Sequence, residues 1–516
     1  MVQINKNETI SSLPYSDIIN ELDLNGNVLA KQKLSNLLVR TSVGSNDVLV
    51  SPIGRPDPHK LLNEWTKIYN SCKDEKVNSV LNELELSQKD KFSPRSIAKP
   101  WSERKEDTLD YFAENNVDYS GLSCQSITSD KGILRPLSVE NASKYIKKST
   151  SAGLPSMRKK GEVLAETIEN LEYFLNRRDP AVLFTRTQEQ GKTRSVFGIP
   201  LADVLYEMRF YRPILDYQKR LPWRSALLGP NAVAKHLSEI IDVAISKGLT
   251  LISMDFSNYD RSIKQGLQFK VGEYYSNLYQ NKYNDEINNI IQRKSTIGLV
   301  TPSGTLNGPH GEPSGSAFTN EDDSIAQYCI AHNSGTLTEG LYDIQGDDGV
   351  YAIDPDKVDS FFNIFSKYGL EVNESKSYQS PNYLIYLQNL FHPDYRKNGE
   401  ICGIYPTYRA LNRIIYQERW SNFEDYDLDG RDYYAIRTLS ILENCKNHPL
   451  FEKFVKFILS KDKYSLKVTS AGISEYVKFI SETEGAEGQL VNQYGDDIRG
   501  IRGWESFKLV RSLSGA

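Results

Sequence analysis

The sequence predicts a mixed α+β fold in which strands occupy the centre of the chain and helical regions flank it. Two segments, 245–260 and 338–354, are apolar and rich in β-prone residues, as expected of strands. Other segments repeat apolar residues at intervals of three and four, the spacing of an amphipathic helix. These helical segments are 160–178, 201–220, 265–296, 358–370 and most of the chain beyond Pro406.

The helix predicted in VDSFFNIFSKYGL has the most regular pattern. Val358, Phe361, Phe362 and Phe365 fall on one helical face, and Gly369 stands where a helix C-cap is expected. The first hundred residues, by contrast, mix short helical and extended patterns. The helical prediction is therefore sharper for the centre of the chain than for its beginning.

Length and charge narrow the possible functions. The 516 residues are enough for about three domains. The 62 Lys and Arg against 67 Asp and Glu give a net charge of -5. That balance argues against a protein that coats nucleic acid over its whole surface. The net charge does not exclude an enzyme that holds RNA in an internal channel, because only the channel must be basic.

Cysteine spacing and hydropathy predict a soluble, intracellular protein. The five cysteines show no CxxC spacing, so we expect neither a disulfide framework nor a zinc site. The polar N-terminus has no signal-peptide core, and no stretch reaches the roughly 20 apolar residues of a membrane span. The six histidines show no metal-ligand spacing.

Three carboxylates follow apolar runs in two distant segments. Asp255 lies in SMDFSNYD, and Asp347 and Asp348 lie in IQGDDGVY. Gly346 and Gly349 flank the pair and predict a hairpin turn. If the strands are neighbours, about 4.8 Å apart, the three acids are expected to share two Mg²⁺ ions about 3.5–4 Å apart. That arrangement suits nucleotidyl transfer, although a GDD motif alone is weak evidence because Asp-Gly turns are common.

Asp260 follows Asp255 by five residues and is expected just beyond the strand. There its carboxylate would accept a hydrogen bond from the sugar of an incoming nucleotide. A helix N-terminal acid stabilised by the helix dipole is an equally good interpretation of this residue.

A glycine-rich stretch, GTLNGPHGEPSGSAFTNEDDS, runs into a predicted helix that Ser314 would cap or begin. A capped helix accounts for the acids at 321–323, but it does not account for four glycines in twelve residues. A loop that moves against a nucleic-acid backbone, with Ser314, Thr319 and Asn320 near the sugar, accounts for both.

Two basic segments are candidate phosphate sites. FTRTQEQGKTR places Arg186, Lys192 and Arg194 within nine residues, where they would stabilise a triphosphate and its leaving pyrophosphate. KYIKKSTSAGLPSMRKK, residues 144–160, has six cations and no acid, which suits the phosphates of a template strand. A solvated turn and a basic surface loop are the respective structural alternatives.

Lys376 follows the predicted helix at 358–370, in NESKSY. It is a candidate general acid that would protonate the leaving pyrophosphate. An exposed lysine without a catalytic task is the alternative interpretation.

The order of these segments resembles the motif series of viral RNA-dependent RNA polymerases. TSAGLP, RTQEQGKTR, DFSNYD, PSGSAFTN, QGDD, a helix followed by Lys376, and YLQNLF succeed one another across roughly residues 149–415. Within that group, the sequence is most similar to the polymerases of picobirnaviruses, with partitiviruses second. The shared order of these motifs makes the resemblance to polymerases specific.

The resemblance implies a right-hand polymerase with fingers, palm and thumb, and an antiparallel palm sheet carrying the GDD hairpin. Contacts between the fingertips and the thumb would encircle the site. The implied divisions are an N-terminal bridge at 1–100, fingers at 101–245 and 265–305, palm at 246–264 and 306–405, and thumb with a C-terminal tail at 406–516.

The resemblance also implies roles for individual residues. Asp255, Asp347 and Asp348 would bind metal and act in catalysis together with Lys376. The nucleotide triphosphate would contact Arg186, Lys192, Arg194, Asp260, Ser314, Gly315, Thr319 and Asn320. Template and primer would contact Ser149, Thr150, Gly153, Tyr386, Leu387 and Gln388. One position departs from the pattern: Asp323 stands where picornavirus-like polymerases have Asn, so the residue that reads the 2′-hydroxyl is left open between Thr319 and Asn320.

The implied cofactor is Mg²⁺, with Mn²⁺ also expected to support activity, and the implied partners are RNA and nucleoside triphosphates. A viral capsid protein is a further candidate partner, and the virion interior or host cytoplasm is the implied location. An RNA-binding virion component active only with a capsid partner is the alternative function. A reverse transcriptase is disfavoured, because Gly346 and Asp260 both point to ribonucleotides. A nuclease is disfavoured, because no nucleophile-activating histidine and no fourth acid stand in a fitting place, and because the basic segment 186–194 suits a triphosphate better. The initiation mode and the template strandedness are left open.

Overall fold

A computed structural model describes residues 13–373, 377–420, 422–482 and 496–514. Three small sheets lie among many helices in this part of the chain. The predicted mixed α+β class is confirmed.

The N-terminal region is helical. Asp57 and Asn78 cap two of its helices, since their side chains accept hydrogen bonds from backbone amides of the first turn. Between residues 13 and 100 the described chain has isolated β-bridges at Ser45, Val50 and Ala98 and no strand. The helices are α1 (Ser16–Asn20), α2 (Val28–Val43), α3 (Pro58–Cys72), α4 (Ser79–Asp90) and α5 (Trp101–Leu109).

This region contacts two distant parts of the chain. The Trp65 indole donates to the Thr407 hydroxyl at 3.0 Å. The Gln190 backbone amide donates to the Ser93 hydroxyl at 2.7 Å, and the Lys99 amide donates to the hydroxyl of Thr193. The N-terminal helices therefore link residues near 190 to residues near 407.

The first sheet has the strand order β2-β1-β4-β5. Its β1–β4 pair is parallel and its other pairs are antiparallel. The strands are β1 (Ala181–Thr187), β2 (Thr193–Gly198), β4 (Leu299–Thr301) and β5 (Gly304–Leu306). The helices before and beside it are α6 (Val139–Ser143), α7 (Lys160–Glu169), α8 (Leu171–Arg177) and α9 (Leu201–Gln218).

The second sheet is antiparallel throughout, with the order β6-β7-β3-β8. Its strands are β3 (Thr250–Met254), β6 (Tyr342–Gln345), β7 (Asp348–Ile353) and β8 (Tyr378–Ser380). A third, antiparallel sheet consists of β9 (Leu384–Tyr386), β10 (Asn389–Lys397) and β11 (Glu400–Ile404). The predicted strand at 245–260 is shorter than expected, because helices occupy both of its ends.

Six helices surround the second sheet: α10 (Pro230–Lys247), α11 (Tyr259–Ser262), α12 (Gln265–Leu278), α13 (Asn284–Lys294), α14 (Thr319–Asn333) and α15 (Val358–Lys367). The helix predicted at 265–296 is two helices, because Tyr279 adopts an extended conformation that ends α12. In α15, Val358, Phe361 and Phe365 are buried as predicted. Every residue from 321 to 331 of α14 is buried, so this helix lies in the core.

The C-terminal helices share a core with Trp65 and Tyr69 of α3. They are α16 (Thr407–Ile415), α17 (Gly430–Glu443), α18 (Phe451–Lys461), α19 (Ser470–Glu482) and α20 (Glu505–Leu513). The last helix packs on α17 and α18, where the Ser506 hydroxyl donates to the Leu439 carbonyl at 3.0 Å. No helix in the described ranges is long and apolar enough to cross a bilayer.

The cysteine prediction was wrong in one respect. Cys124 and Cys329 form a disulfide across 205 residues of sequence. Both side chains are fully buried, and the bond joins the loop before the segment at 125–127 to α14. Spacing along the chain carried no signal of it, because the two residues meet only through the fold.

Candidate active site

The acids singled out in the sequence meet at one end of the second sheet. Gln345 pairs with Asp348 across the β6–β7 hairpin, so Gly346 and Asp347 form the two-residue turn. Gly346 has a φ of +64°, which glycine adopts without strain. Met254, the last residue of β3, lies opposite Gly349, which puts Asp255 next to Asp348.

The neighbouring acids change the titration of Asp348. Burial and the negative charges of Asp347 and Asp255 raise its pKa to about 8, while a hydrogen bond from the Leu387 backbone amide acts in the opposite direction. A bound cation would reduce the repulsion among the carboxylates of Asp255, Asp347 and Asp348.

The donor set fits Mg²⁺, although these acids do not form a closed site. Mg²⁺ takes oxygen ligands and is usually held by one or two carboxylates together with substrate phosphates. Among the described residues, no three histidine, cysteine, aspartate or glutamate side chains lie close enough to hold a metal ion by themselves. Asp255, Asp347 and Asp348 would therefore supply part of a coordination sphere.

Asp260 lies in the first turn of α11, where both acidic and basic side chains influence its carboxylate. Burial and the Asp347 carboxylate raise its pKa, whereas Arg194 and Arg261 act to lower it. Asp323 is more deeply buried, and its Oδ1 has no hydrogen-bond partner among the described residues. Burial and the charge of Asp260 hold the pKa of Asp323 well above its usual range. The two acids are therefore close enough to interact electrostatically.

The cations of RTQEQGKTR lie on a β-hairpin. Arg186 of β1 is directly opposite Arg194 of β2, and both are exposed. Like charges at facing positions of a sheet repel each other, so the pair is better suited to an anion than to a bare surface. Arg186 has one acidic neighbour, Glu418, at 3.6 Å. Lys192 is exposed near the turn between the strands.

The glycine-rich loop approaches this hairpin closely. A Cβ on Gly315 would lie 1.7 Å from the Phe197 carbonyl oxygen, so only glycine fits there. The Ser314 hydroxyl donates to the Ser195 carbonyl at 3.2 Å. The expectation that Ser314 caps or begins the helix was wrong, because α14 starts at Thr319. The Thr319 hydroxyl lies within hydrogen-bond distance of carbonyls of its own loop.

A buried acid holds the other side of the loop. Glu207 Oε2 accepts hydrogen bonds from the Ser316 hydroxyl at 2.9 Å and the Ala317 amide at 2.8 Å. Burial raises the pKa of Glu207 to about 7, although these two hydrogen bonds act to lower it. No local pattern predicts this contact, which spans 110 residues of sequence.

Glu207 is expected to make stability depend on pH. Its folded pKa of about 7 exceeds the ordinary 4.5, so the folded chain binds more protons than the unfolded chain between these values. Stability should fall as pH rises from about 4.5 through 7, by on the order of 3 kcal/mol from this group. Melting temperatures measured between pH 5 and pH 8 should fall less steeply in Glu207→Gln. Equal slopes for the two proteins would contradict the assignment.

Helix α14 contacts the GDD turn with three polar side chains. The Gly346 amide donates to Ser324 Oγ at 2.8 Å, and the Gly346 carbonyl accepts from Gln327 Nε2 at 3.0 Å. Asn320 Oδ1 accepts from Gln345 Nε2 at 3.1 Å. None of the three hydrogen bonds was foreseen, because nothing in the local pattern distinguishes Ser324 and Gln327 within a uniformly buried helix.

A buried ion pair also connects helix α14 to Gln345, the residue before the turn. Arg224 lies in the short 3₁₀ segment Pro222–Leu228 and donates to both carboxylate oxygens of Glu321, at 2.6 and 3.1 Å. It also donates to Gln345 Oε1 at 3.2 Å. Both charged side chains are fully buried.

The predicted primer residues form the turn between β9 and β10. Leu387 and Gln388 both have positive φ, and the Leu387 amide contacts Asp348. The Tyr386 side chain is fully buried, and its hydroxyl donates to Asp343 Oδ1 at 2.8 Å. Tyr386 therefore anchors this turn to β6 from the interior of the protein.

The predicted template residues lie at the edge of the first sheet. Ser149 is buried, whereas Thr150 is half-buried and its hydroxyl donates to the Lys147 carbonyl at 3.1 Å. A Cβ on Gly153 would lie 2.9 Å from the Gly198 carbonyl oxygen, so the backbones approach closely. Lys376 lies outside the described residues.

Comparison with known proteins identifies the family. The family model for viral RNA-dependent RNA polymerases matches residues 105–458, more than half of the chain. The chain belongs to the viral RNA-dependent RNA polymerases. The polymerase is 28% identical over 474 residues to a "Potential RNA-dependent RNA polymerase" of human picobirnavirus, covering 84% of this chain and 88% of the relative.

Solved structures agree with this assignment. The crystal structure of the RNA-dependent RNA polymerase of a human picobirnavirus matches with a TM-score of 0.81 and 24% identity, covering 96% of the polymerase and 99% of that chain. Its insertion loop deletion mutant matches with the same TM-score, 25% identity and the same coverage. The predicted resemblance to picobirnavirus polymerases is therefore confirmed, and so is the predicted enzyme class.

Proposed function

We propose that the polymerase carries out template-directed 5′-to-3′ RNA synthesis by two-metal nucleotidyl transfer, for replication and transcription of a viral genome. One observation carries the proposal. The strand register brings Asp255 next to Asp348 beside the turn that bears Asp347, and the charges of both Asp347 and Arg194 act on Asp260. A nucleoside triphosphate needs metal ions, held by acids, at its reacting phosphate and cations at its outer phosphates, and this site offers the acids and the cationic side chains.

The proposed divisions are those of a right hand. Residues 101–245 and 265–305 are assigned to the fingers, 246–264 and 306–405 to the palm, and 406–516 to the thumb and tail. Residues 1–100 are assigned to a bridge between fingers and thumb. The hydrogen bonds from Trp65 to Thr407 and from Gln190 to Ser93 support a bridge that closes around the site.

Each residue has a task in this mechanism. Asp255, Asp347 and Asp348 would hold two Mg²⁺ ions, and Mn²⁺ should also be accepted. When bound, these ions lower the pKa of the 3′-hydroxyl and neutralise the triphosphate oxygens. Arg186, Lys192 and Arg194 would attract the triphosphate and stabilise the departing pyrophosphate, for which Lys376 would serve as general acid.

The nucleotide sugar would lie between α11 and the start of α14. Asp260 accepts a hydrogen bond from a sugar hydroxyl in this arrangement. The Asn320 amide makes one hydrogen bond with its oxygen and one with its nitrogen, which leaves one lone pair and one N–H for a ligand. Ser314 and Gly315 would let the loop follow the moving template and product. Ser149, Thr150 and Gly153 would contact the template, and the Tyr386–Gln388 turn the primer.

Replacing Asp260 by alanine should weaken the preference for ribonucleotides over deoxynucleotides. Loss of one hydrogen bond to the sugar predicts a fall of roughly tenfold in the ratio of incorporation efficiencies. The measurement is kcat/KM for a ribonucleotide and its deoxy analogue on one primed template. An unchanged ratio in an active variant would show that Asp260 does not read the sugar.

The proposed partners are RNA and nucleoside triphosphates, with a capsid protein as a candidate regulator in the virion interior or host cytoplasm. Incorporation of labelled nucleotide on a short single-stranded RNA, with and without primer, tests the function and the initiation mode together. Product from the isolated protein in Mg²⁺ supports the proposal. Product only after addition of a capsid protein would favour the alternative of a virion component that depends on a partner.

A further inference from the structure

One helix holds the backbone of Gly346 in the GDD turn. Gly346 uses both of its polar backbone groups on α14: its N–H bonds to Ser324 and its carbonyl bonds to Gln327. Asn320, Ser324 and Gln327 follow one another at intervals of four and three, so they share one face of the helix. Ser324 and Gln327 are fully buried, and neither belongs to the residues given a role above.

The hydrogen-bond directions in this contact are fixed by further partners. The Ser324 hydroxyl donates its proton to the Asn320 carbonyl at 2.7 Å, so its oxygen can only accept from Gly346. Gln327 Oε1 accepts from the Tyr351 hydroxyl at 2.6 Å, which leaves its amide N–H for the Gly346 carbonyl. In each of these hydrogen bonds the donor and the acceptor therefore have fixed roles.

The shape of the turn is matched to the same side chains. A Cβ on Gly349 would lie 1.7 Å from Gln327 Oε1, so a side chain there would displace the glutamine. A Cβ on Gly346 would lie 3.5 Å from Asn320 Oδ1. Both glycines around the Asp pair therefore face α14 closely, and the position of the acids follows the position of this helix.

Asn320 is connected to the turn by a second route. Its Oδ1 accepts from Gln345 Nε2, and Gln345 is the residue directly before Gly346. Gln345 is itself held by Arg224, which is paired with Glu321 in the same helix. A displacement of the Asn320 side chain would thus reach the turn through Gln345, while Ser324 joins the main-chain carbonyl of Asn320 to Gly346.

We propose that Ser324 and Gln327 are positioning residues that set the GDD turn, and that with Gln345 they couple the sugar contact of Asn320 to the metal-binding acids. The inference rests on the proposed function, because it takes Asn320 as a sugar contact and the acids as metal ligands. Its consequence is that a sugar that does not engage Asn320 leaves the acids poorly placed. Discrimination between ribose and deoxyribose then appears in kcat as well as in KM.

The test compares Ser324→Ala with a matched control. Ser238 of α10 is also buried, and its Oγ accepts a backbone N–H, from Ile401 at 2.9 Å, but in a contact between α10 and β11. Ser238→Ala removes the same kind of hydrogen bond from another part of the fold. For each protein we would measure kcat and KM for ribo- and deoxynucleotides, the Mg²⁺ concentration at half-maximal rate, and the melting temperature.

We expect Ser324→Ala to lower kcat for ribonucleotides roughly tenfold and to raise the Mg²⁺ requirement several-fold. Its ratio of ribo- to deoxynucleotide kcat should fall towards one. Ser238→Ala should lose similar thermal stability while its ratio and its Mg²⁺ dependence stay at wild-type values. If both variants lose stability and Ser324→Ala keeps the wild-type ratio and Mg²⁺ dependence, the coupling is wrong.

A second variant covers the case in which Ser324→Ala does not fold. Gln345 is only half-buried and contacts Asn320 without touching the Gly346 backbone groups. Gln345→Met should lower the ribose-to-deoxyribose ratio of kcat, and an unchanged ratio would overturn the proposal. RNA synthesis by the wild type in the same assay is scored separately, so a failure of the proposed function is distinguishable from a failure of the coupling.

Discussion

Replacing Asp347 by alanine should reduce RNA synthesis to the background of the assay while the chain stays folded. Asp347 is exposed at the hairpin turn, and its charge raises the pKa of both Asp348 and Asp260. Removal of the carboxylate takes away a proposed metal ligand and at the same time relieves repulsion. The melting temperature should therefore equal or slightly exceed that of the wild type.

The matched control is Asp359→Ala, which removes an exposed acid from the first turn of α15. It should retain wild-type synthesis at every Mg²⁺ concentration. Near-normal synthesis by Asp347→Ala would show that this carboxylate is not a metal ligand. Unfolding of Asp347→Ala would show instead that the turn is needed for the fold.

Replacing Lys294 by methionine should have the largest effect on stability. Lys294 is fully buried and lies 2.6 Å from Glu312 Oε2, and it also pairs with Asp322. Glu312 lies within the glycine-rich stretch and Asp322 lies in the first turn of α14, so one cation joins the loop to the helix that follows it. Removing it leaves two buried acids without a compensating cation, which costs about 3–5 kcal/mol. Denaturant unfolding at neutral pH measures the loss.

An exposed lysine provides the comparison. Lys456 pairs with Glu452 on the surface of α18, and Lys456→Met should change the free energy of unfolding by less than about 1 kcal/mol. Adding Glu312→Gln to Lys294→Met should recover part of the loss, because one uncompensated charge is then removed. Equal unfolding midpoints for Lys294→Met and Lys456→Met would contradict the proposed role of the buried cation.

The sequence predicted the features that depend on local pattern. The hairpin at the Asp pair follows from glycines at both of its edges, and helix α15 follows from its phenylalanine spacing. The basic segment that contains Arg186 and Arg194 was recognised as a candidate phosphate site. The sequence did not predict that these two residues lie opposite each other on paired strands. Motif order along the chain was enough to identify the polymerase family.

The features that could not be predicted from the sequence depend on contacts between distant residues. Arg224 and Glu321 are 97 positions apart in the sequence. The residues next to each of them form no pattern that predicts a buried ion pair. In α14 apolar and polar residues are buried alike, because Lys294, Arg224 and Gly346 provide partners for the polar ones. A helix without a solvent face shows no amphipathic pattern, so the roles of Ser324 and Gln327 could not be predicted. Tyr386 was expected near RNA, but its hydroxyl is used to bind Asp343 inside the protein.

The central claim is that this site copies an RNA template, and template dependence tests it most directly. Each of the four labelled ribonucleotides would be offered with each homopolymeric RNA in Mg²⁺, with and without a complementary primer. We expect incorporation of the complementary nucleotide only, on every template. Incorporation that does not depend on the template, or no product from folded protein with primer in either Mg²⁺ or Mn²⁺, would contradict it.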